Sequence, residues 1–337
     1  MRVLRTAAVL ATSLLPAACY YSNHNALEPA GRQADRIASL FWVFLVVCSL
    51  VWVVVLVFAV LAVARGRRRG VVADDPATNA RMRRGIVVAV GATAVILTGF
   101  MIADFAVGRS VAGYHADARA ALTIQVIGHQ WWWEIIYEDS VASRSIETAN
   151  EIHIPVGRPI LIKGESRDVI HSFWIPNLHG KRDMIPGYST MLWLRADQPG
   201  VYEGQCAEYC GHQHAKMRLT VIAHEPGDFS RWYESARLPA RPPTDSLAQR
   251  GLEVFLAGPC VMCHAIRGTP AGGTVGPELT HFASRRSIGA GAIPNTRGHL
   301  AAWILDPQQI KPGNLMPPNA LPPDALAALL AYLETLK

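Results

Sequence analysis

Two clusters of sulfur and nitrogen side chains give this 337-residue chain its candidate chemistry. The first cluster comprises His171, Cys206, Cys210, His214 and Met217, and the last four lie within 12 residues. Thiolate, imidazole and thioether groups together are typical copper ligands, and a mononuclear blue-copper site uses only one cysteine. A second thiolate allows two sulfurs to bridge two copper ions, with one histidine on each ion. The cluster therefore predicts a dinuclear copper site, against the alternative of a disulfide between the two cysteines.

The second cluster is Cys260-Val-Met-Cys263-His264, which has the C-x-x-C-H pattern of covalent haem attachment. Each thiol adds across a haem vinyl group, and the adjacent imidazole becomes the proximal ligand of the iron. Met316, in a proline-stiffened loop 52 residues after His264, is the predicted distal ligand. The competing candidates for that position are Met262, His281 and His299.

Short segments of alternating polarity surround the copper cluster. The pattern predicts strands at 122–127, 151–155, 159–163 and 190–194, with glycines in the connections between them. Such alternation is typical of half-buried strands. Several short strands at this spacing favour an antiparallel sandwich or a Greek-key barrel. We therefore expect an extracytoplasmic β domain over 108–235.

The haem cluster lies among helical signals. A helix is predicted to begin at Gly251 and lead into the haem motif, and an amphipathic helix is predicted over 324–336, directly after two prolines. With the loop that carries Met316, these elements in this order resemble a class I cytochrome c over 246–337. The resemblance implies an all-α domain with one covalent haem c. The proline-rich segment 236–245 predicts a semi-rigid linker before it.

Two long uncharged segments predict a transmembrane helical hairpin over 37–107, with helices at about 37–64 and 85–107. About 20 apolar residues suffice to span a bilayer. The chain is 50% hydrophobic and only 17% charged, with a mean hydropathy of +0.18, which excludes an ordinary soluble enzyme and a disordered chain. The connection between the helices is rich in arginine, which predicts that it lies in the cytoplasm. Both ends of the chain are then expected outside a bacterial cytoplasmic membrane.

Residues 1–19 have the pattern of an export signal, with arginines at the start, an apolar stretch and small residues at the end. Cys19 is a candidate for lipidation, as in a bacterial lipoprotein. The alternatives are ordinary cleavage or retention as an uncleaved anchor. Cys48 lies inside the first membrane helix, where we expect it to act as a small apolar residue. No disulfide is then expected in the mature chain.

Around the copper cluster the sequence resembles cytochrome c oxidase subunit II. The resemblance covers roughly 35–235 and rests on the two membrane helices together with four short motifs. The motifs are Gly-His-Gln-Trp-Trp-Trp-Glu at 128–134, Asp-Val-Ile-His-Ser-Phe-Trp at 168–174, Asp-Met-Ile-Pro-Gly at 183–187 and the copper loop at 206–217.

This resemblance implies a cupredoxin-like Greek-key barrel that holds the dinuclear CuA centre through two bridging thiolates, two imidazoles, a weak thioether ligand and a weak backbone carbonyl ligand. The corresponding residues are Cys206 and Cys210, His171 and His214, Met217, and Glu208. The side chain of Glu208 resembles one that helps to hold Mg²⁺ at the interface with subunit I.

Three consecutive tryptophans, Trp131, Trp132 and Trp133, form the other unusual feature. On a strand, the first and third would face one way and the second the other way. The resemblance points to Trp131 as the residue where electrons from a cytochrome c enter toward CuA. The alternative is that all three are packing aromatics.

The combined architecture resembles subunit II of a caa3-type cytochrome c oxidase, a terminal respiratory enzyme. The implied path takes electrons from an external cytochrome c or other donor through haem c and CuA to the haem of subunit I, where O₂ is reduced to water. Subunit I would be an obligate partner and subunit III an expected one. The alternatives are the same module in a CuA-containing nitric oxide reductase, or a tethered copper-delivery protein.

Two further observations limit what the resemblance implies. The segment before the second membrane helix reads Arg81-Met-Arg-Arg84, without the glutamate that the family usually carries there, so no proton-uptake role transfers to this chain. The segment 246–337 holds seven lysines and arginines against five acidic residues, a balance that gives no support for nucleic-acid binding.

Overall fold

A computed structural model of the chain describes residues 24–67, 76–112 and 122–337. The predicted export signal, the lipidation candidate Cys19 and residues 68–75 between the two predicted membrane helices lie outside these residues.

Two long helices, α1 (Arg32–Gly66) and α2 (Pro76–Ala112), are long and apolar enough to cross a membrane. Both exceed the predicted segments, because polar and charged residues at either end continue the helix while only the apolar part sets the membrane span. Most of the large apolar side chains of these two helices lie on the surface and are not covered by the rest of the chain. Phe44 of α1 stacks on Phe100 of α2, with ring centroids 4.1 Å apart, which joins the two helices as a hairpin.

The start of α1 is attached to the β domain. The backbone N–H of Ala30 donates to Asn177 O over 2.7 Å, and the N–H of Asp197 donates to Ala30 O over 2.7 Å. These hydrogen bonds fix the position of the membrane hairpin against one end of the β domain.

Ten strands build the domain that contains the copper cluster. In chain order they are β1 (Leu122–His129), β2 (Trp132–Tyr137), β3 (Ile146–Ala149), β4 (Glu151–Pro155), β5 (Ile160–Ser166), β6 (His171–Phe173), β7 (Arg182–Met184), β8 (Thr190–Leu194), β9 (Gly200–Gln205) and β10 (Arg218–His224). They form a five-stranded sheet in the order β3-β2-β1-β5-β8, a three-stranded sheet in the order β4-β10-β9, and the pair β6-β7. The four predicted strands are confirmed, and the sheets form the expected cupredoxin-like barrel.

The expected antiparallel arrangement is wrong for two of the strand pairs. β1 pairs with β5, and β4 pairs with β10, in parallel. Parallel neighbours need crossover connections in place of tight hairpins, and a local alternation pattern does not indicate which strands pair across such a connection. The remaining pairs of the domain are antiparallel.

The core of the β domain follows from the period of two along its strands. Ile124 and Val126 of β1 and Ile160 and Ile162 of β5 have no exposed surface, whereas the residues between them are partly exposed. Burying each aliphatic side chain contributes about 1.5–3 kcal/mol. This packed core gives the copper loop a rigid support at one end of the strands.

A helix covers the β domain before the linker. This helix, α3 (Pro226–Ala236), places Trp232 flat against His153 of β4, with ring centroids 4.1 Å apart and planes within 6°. The imidazole of His153 also forms a 2.7 Å hydrogen bond with that of His224 on β10. Burial, and secondly the neighbouring His224, lowers the pKa of His153 to about 3. Both rings therefore stay neutral in the folded protein near neutral pH.

The haem cluster lies in a helical segment with its own hydrophobic core. Its helices are α4 (Ser246–Ala257), α5 (Arg297–Leu305), α6 (Pro307–Ile310) and α7 (Pro323–Leu333), with a short pair of strands, β11 (Ser287–Ile288) and β12 (Ile293–Pro294). α4 begins at Ser246, five residues before the predicted start, because the side chain of Asp245 accepts a hydrogen bond from the N–H of Ala248 and caps the helix. α4 crosses α7 closely: a Cβ at Gly251 would lie 2.0 Å from Ala328 O, so only glycine fits at this crossing.

The segment predicted as a linker lies against the helical segment. Arg267 donates from Nη2 to Ala236 O over 2.6 Å, and the N–H of Ala240 donates to Arg267 O over 2.9 Å. His281 Nε2 lies 3.1 Å from Leu238 O. These contacts hold the proline-rich connection in one conformation.

The neutral histidine pair makes the β domain sensitive to acid. The unfolded chain binds a proton at His153 below pH of about 6.5, whereas the folded chain does not until the pH approaches 3, so this stability is present above pH 6.5 and is lost as the pH falls. In the wild type, the free energy of opening of β4 and β10 should fall as the pH is lowered from 7 to 5. In His153→Phe we expect this fall to be smaller by about 2 kcal/mol. Hydrogen exchange of their amides, corrected for intrinsic rates, measures this difference.

His299→Phe, at an exposed position on α5, is the matched control and should keep the pH response of the wild type. An unchanged pH response in His153→Phe would show that the histidine pair does not set the acid sensitivity.

Candidate copper and haem sites

The loop between β9 and β10 brings the predicted copper ligands together. Cys206 Sγ and Cys210 Sγ lie 3.8 Å apart. This separation is far longer than a disulfide bond of about 2.05 Å, so the two thiols are free. Both cysteines are 2% exposed, and with His171 they form a cluster whose ligand atoms all lie within 4.8 Å of one another.

The other predicted donors complete the same cluster. His171 Nδ1 lies 3.9 Å from Cys206 Sγ, and His214 Nδ1 lies 3.6 Å from Cys210 Sγ. Met217 Sδ lies 3.8 Å from Cys210 Sγ. Each thiol therefore has one imidazole beside it, with two sulfurs between the imidazoles, which is the donor set that two bridged copper ions require.

His171 is oriented by its surroundings. Its Nε2 lies 2.7 Å from Asp168 Oδ1, so this nitrogen donates to the carboxylate and Nδ1 is left for a metal. The ring packs against the backbone of β1, where a Cβ at Gly128 would lie 2.6 Å from His171 Cδ2. Although burial favours the neutral carboxyl, the hydrogen bond from His171 and two backbone N–H groups lower the pKa of Asp168.

The two thiols have opposite titration behaviour. A hydrogen bond with the Cys210 thiol lowers the pKa of Cys206, against the effect of burial. The same interaction, together with burial, raises the pKa of Cys210. Copper binds thiolates, so its binding would displace the protons of this pair.

Glu208 contributes a backbone group and a side chain at different places. Its carbonyl oxygen lies 3.2 Å from Cys206 Sγ, at the edge of the donor cluster. Its carboxylate points to Lys181, with Oε2 3.8 Å from Nζ, and Lys181 also pairs with Asp183 over 2.7 Å. The carboxylate for which a Mg²⁺ role is predicted is therefore paired, like that of Asp183, with Lys181 in the isolated chain.

Trp132 and Trp133 begin β2, whereas Trp131 precedes the strand; Trp131 and Trp133 are both buried and Trp132 is partly exposed. Trp131 lies in the turn between β1 and β2, and its Nε1–H donates to Cys210 O over 2.9 Å. Trp133 on β2 is fully buried, with its ring 5.9 Å from that of His171. Trp132 stacks on His129 at 4.4 Å. Trp131 is therefore the tryptophan that is hydrogen-bonded directly to the copper loop.

The second cluster lines a cavity of about 330 Å³ in the helical segment. Cys260, Cys263, His264 and Met316 all border it, among mainly apolar side chains. His264 Nδ1 lies 2.7 Å from Pro277 O, so Nδ1 donates to this carbonyl and Nε2 is left for a metal. Two thiols, an oriented imidazole and a thioether around an apolar cavity fit a c-type haem.

Met316 is held in place by its own loop. Its N–H donates to Asn314 Oδ1 over 2.9 Å, and its carbonyl accepts from Gln308 Nε2 over 2.8 Å. Of the competing candidates, Met262 also borders the cavity, between the two cysteines, whereas His281 and His299 do not. Met262 is 73% exposed, His281 is hydrogen-bonded through both ring nitrogens to backbone carbonyls, and His299 is hydrogen-bonded to Thr296.

The haem cavity extends to the copper loop through Trp131. Gln130, Trp131 and Trp132 border the cavity together with the haem-binding motif. Trp131, which is 8% exposed, also donates its indole N–H to the carbonyl of Cys210. The same residue thus touches both candidate sites.

The residue patterns gave no role to two residues that the structure brings into these sites. Asp168 stands three residues before a predicted ligand, a spacing that a search for carboxylate partners of histidine ligands would detect. Lys311 is a buried lysine that donates to backbone carbonyls. No sequence pattern marks carbonyl acceptors, so this residue could not be found without the fold.

Comparisons with known proteins match both domains that contain these clusters. The family model described as the periplasmic domain of cytochrome c oxidase subunit II matches residues 139–224, and the cytochrome c model matches 248–337. A cytochrome c oxidase subunit 2 of Alkalihalophilus pseudofirmus is 36% identical over 325 residues, covering 94% of this chain and 91% of the relative.

Two further matches are similar in kind. A cytochrome c oxidase subunit 2 from a Bacillus species is 31% identical and covers 73% of this chain and 70% of the relative. The crystal structure of the periplasmic domain of subunit II of cytochrome oxidase from Bradyrhizobium japonicum is 33% identical, with a TM-score of 0.33, over 34% of this chain and 93% of that chain.

Asp168 should set the affinity of the first site for copper. The two carboxylate oxygens of Asp168 accept hydrogen bonds from His171 and from the backbone N–H of Gln130. Asparagine has only one such oxygen, so one of these two bonds is lost in Asp168→Asn. We expect copper binding to weaken about 10–100-fold, as is usual when the partner of a histidine ligand is removed. Competition with a chromophoric copper chelator measures this change.

The matched control is Asp228→Asn, at an exposed position on α3, which should retain copper like the wild type. If the same chelator concentration strips copper from Asp168→Asn and from this control, then Asp168 does not orient the ligand.

Proposed function

The chain belongs to the cytochrome c oxidase subunit II family, and we propose that it receives electrons at its haem c and passes them through CuA to subunit I. It is a subunit of a haem-copper oxidase and carries a cytochrome c domain, with an electron-transfer role. The matched relatives are named as oxidases of cytochrome c, so a nitric oxide reductase is not favoured. A copper-delivery protein is not favoured either, because the match to subunit II runs over nearly the whole chain.

One observation carries the proposal: Trp131 borders the haem cavity and donates its indole N–H to the copper loop. In this chain the fused cytochrome c domain covers the tryptophan through which a soluble cytochrome c was expected to deliver electrons. We therefore assign Trp131 to the step between the two sites of the same chain, and the external donor to the haem.

When bound, the two copper ions and the haem supply one-electron carriers, and the chain holds and separates them. For the copper pair we propose that Cys206, Cys210, His171 and His214 would hold the two ions, with weaker contributions from Met217 and the Glu208 carbonyl. Asp168 orients one imidazole, as its 2.7 Å hydrogen bond supports. The buried position of both thiols excludes water from the site.

For the haem we propose that Cys260 and Cys263 would attach it covalently and that His264 and Met316 would hold its iron. The Pro277 carbonyl fixes the tautomer of His264, and burial lowers the pKa of this imidazole, which keeps it neutral as a ligand. A thioether ligand stabilises the reduced iron and raises its potential, as suits a donor to copper.

The remaining proposals concern the assembly. The carboxylate of Glu208 would join a Mg²⁺ site only where subunit I draws Lys181 away from it. The hairpin of α1 and α2 would lie in the bacterial cytoplasmic membrane, with both later domains on the outer side. We propose domain limits of 108–235, 236–245 and 246–337, and we retain Cys19 lipidation, subunit III and a cytochrome c donor as parts of this proposal. We assign no proton-uptake role to this chain.

Trp131→Phe tests the assigned step. The variant keeps an aromatic ring but loses the hydrogen bond to Cys210 O. We expect copper and haem contents to stay as in the wild type, while electron transfer from haem c to CuA slows severalfold after rapid reduction of the haem. Stopped-flow absorbance at the two centres in the purified oxidase measures this rate.

Trp232→Phe is the matched control, because Trp232 packs on His153 in the β domain and does not border the haem cavity. An unaltered transfer rate in Trp131→Phe, at full copper and haem content, would remove Trp131 from the path.

A further inference from the structure

The loop that carries Met316 touches both candidate sites. At its far end Met316 borders the haem cavity, and at its near end Lys311 reaches the β domain. Gln308 stiffens the loop between them, since its amide donates to the carbonyls of Asn314 and Met316 and accepts from the N–H of Gly313. A displacement of one end of this loop is therefore transmitted to the other.

The side chain of Lys311 lies inside the contact between the two domains. The residue is 2% exposed. Its Nζ donates to Trp131 O over 2.6 Å, to Lys216 O over 2.7 Å and to Gly289 O over 2.7 Å. Since all three acceptors are carbonyl oxygens, all three protons of an ammonium group are used.

A buried ammonium group needs strong compensation. In the part of the chain that the structure describes, no carboxylate pairs with Lys311. Burial lowers the pKa of Lys311 to about 7, although the nearby Cys210 raises it. The three carbonyl oxygens are the groups that its N–H donors contact. Hydrogen bonds to a charged group are stronger than those between neutral groups, so the geometry of this contact is sharply defined.

The three acceptors come from three different segments. Trp131 belongs to the turn before β2, Lys216 to the copper loop one residue before Met217, and Gly289 to the segment that borders the haem cavity. Trp131 is in turn hydrogen-bonded to Cys210 O. One side chain of the loop that carries Met316 thus connects the copper loop, Trp131 and the segment around Gly289.

Weaker contacts surround this centre. Gln213 Nε2 donates to Pro312 O over 2.8 Å, and the N–H of Arg218 donates to Ala290 O over 3.0 Å. Lys216 Nζ donates to Ile310 O from an exposed position. These bonds lie around Lys311 and shield it from water, so the interface is continuous from the copper loop to the haem loop.

We propose that Lys311 is the positioning residue that fixes the loop that carries Met316 against Trp131 and the copper loop. This inference rests on the proposed function, in which one electron lost at the haem site is gained at the copper site. Lys311 borders the haem cavity, but its ammonium group is hydrogen-bonded to backbone carbonyl oxygens. It acts by holding the cytochrome c domain in one docked arrangement, so that the domain does not swing on its linker between turnovers.

Lys311→Met tests the proposal, because methionine has a similar length and no hydrogen-bond donor. Lys337→Met, at the exposed C-terminal residue, is the matched control. In the purified oxidase with full copper and haem content, we expect hydrogen exchange of 309–316 and of 213–218 to rise together in Lys311→Met. We also expect haem-to-copper transfer to slow about tenfold or more, since losing even one charged hydrogen bond is worth about that factor.

The exchange measurement does not depend on electron transfer, so it separates the two hypotheses. Unchanged exchange and an unchanged transfer rate in Lys311→Met would overturn the positioning role and leave the proposed function intact. Failure of the wild type itself to pass electrons from haem to copper would overturn the proposed function. If Lys311→Met fails to assemble, Lys311→Gln, which keeps two N–H donors, replaces it. Compared with the wild type, Lys311→Gln should show raised hydrogen exchange in both segments and slower haem-to-copper transfer. Wild-type behaviour of Lys311→Gln in both measurements would then overturn the proposal.

Discussion

The structure depends on holding two buried thiols 3.8 Å apart without allowing them to form a disulfide. A bare pair of cysteines four residues apart in an oxidising compartment would tend to oxidise. The loop between β9 and β10 and the strand β6 place His214, Met217 and His171 around the sulfurs, and this donor set suits metal binding. The barrel then serves this loop. Its core supports the strands on either side, and the glycine at 128 leaves room for an imidazole.

The two folded domains are joined by direct contacts as well as by the linker. The copper loop offers one carbonyl, that of Cys210, to Trp131, and the backbone of Trp131 is held by Lys311 of the cytochrome c domain. A tether alone would only raise the effective concentration of the haem near the copper. Buried hydrogen bonds on three segments define a single docked geometry, and the proposed electron path passes through that interface.

The residue types and spacings predicted the ligand sets, the membrane hairpin and the four strands, because each depends on a local pattern. They did not predict the parallel pairing of β1 with β5, since crossover pairing is a property of the whole barrel. They did not predict that Trp131 lies in the turn between β1 and β2, where its indole N–H donates to the copper loop. α4 begins at Ser246 because Asp245, assigned to the linker, is its cap. Lys311 has only backbone acceptors, which no sequence reveals.

The most direct test of the account follows the redox state of both centres in the wild-type oxidase after mixing with a limiting amount of a soluble reductant. The account predicts that the haem is reduced first and that the copper follows in a first-order step whose rate does not change with protein concentration. Reduction of the copper ahead of the haem, or at a rate proportional to protein concentration, would contradict the proposed path.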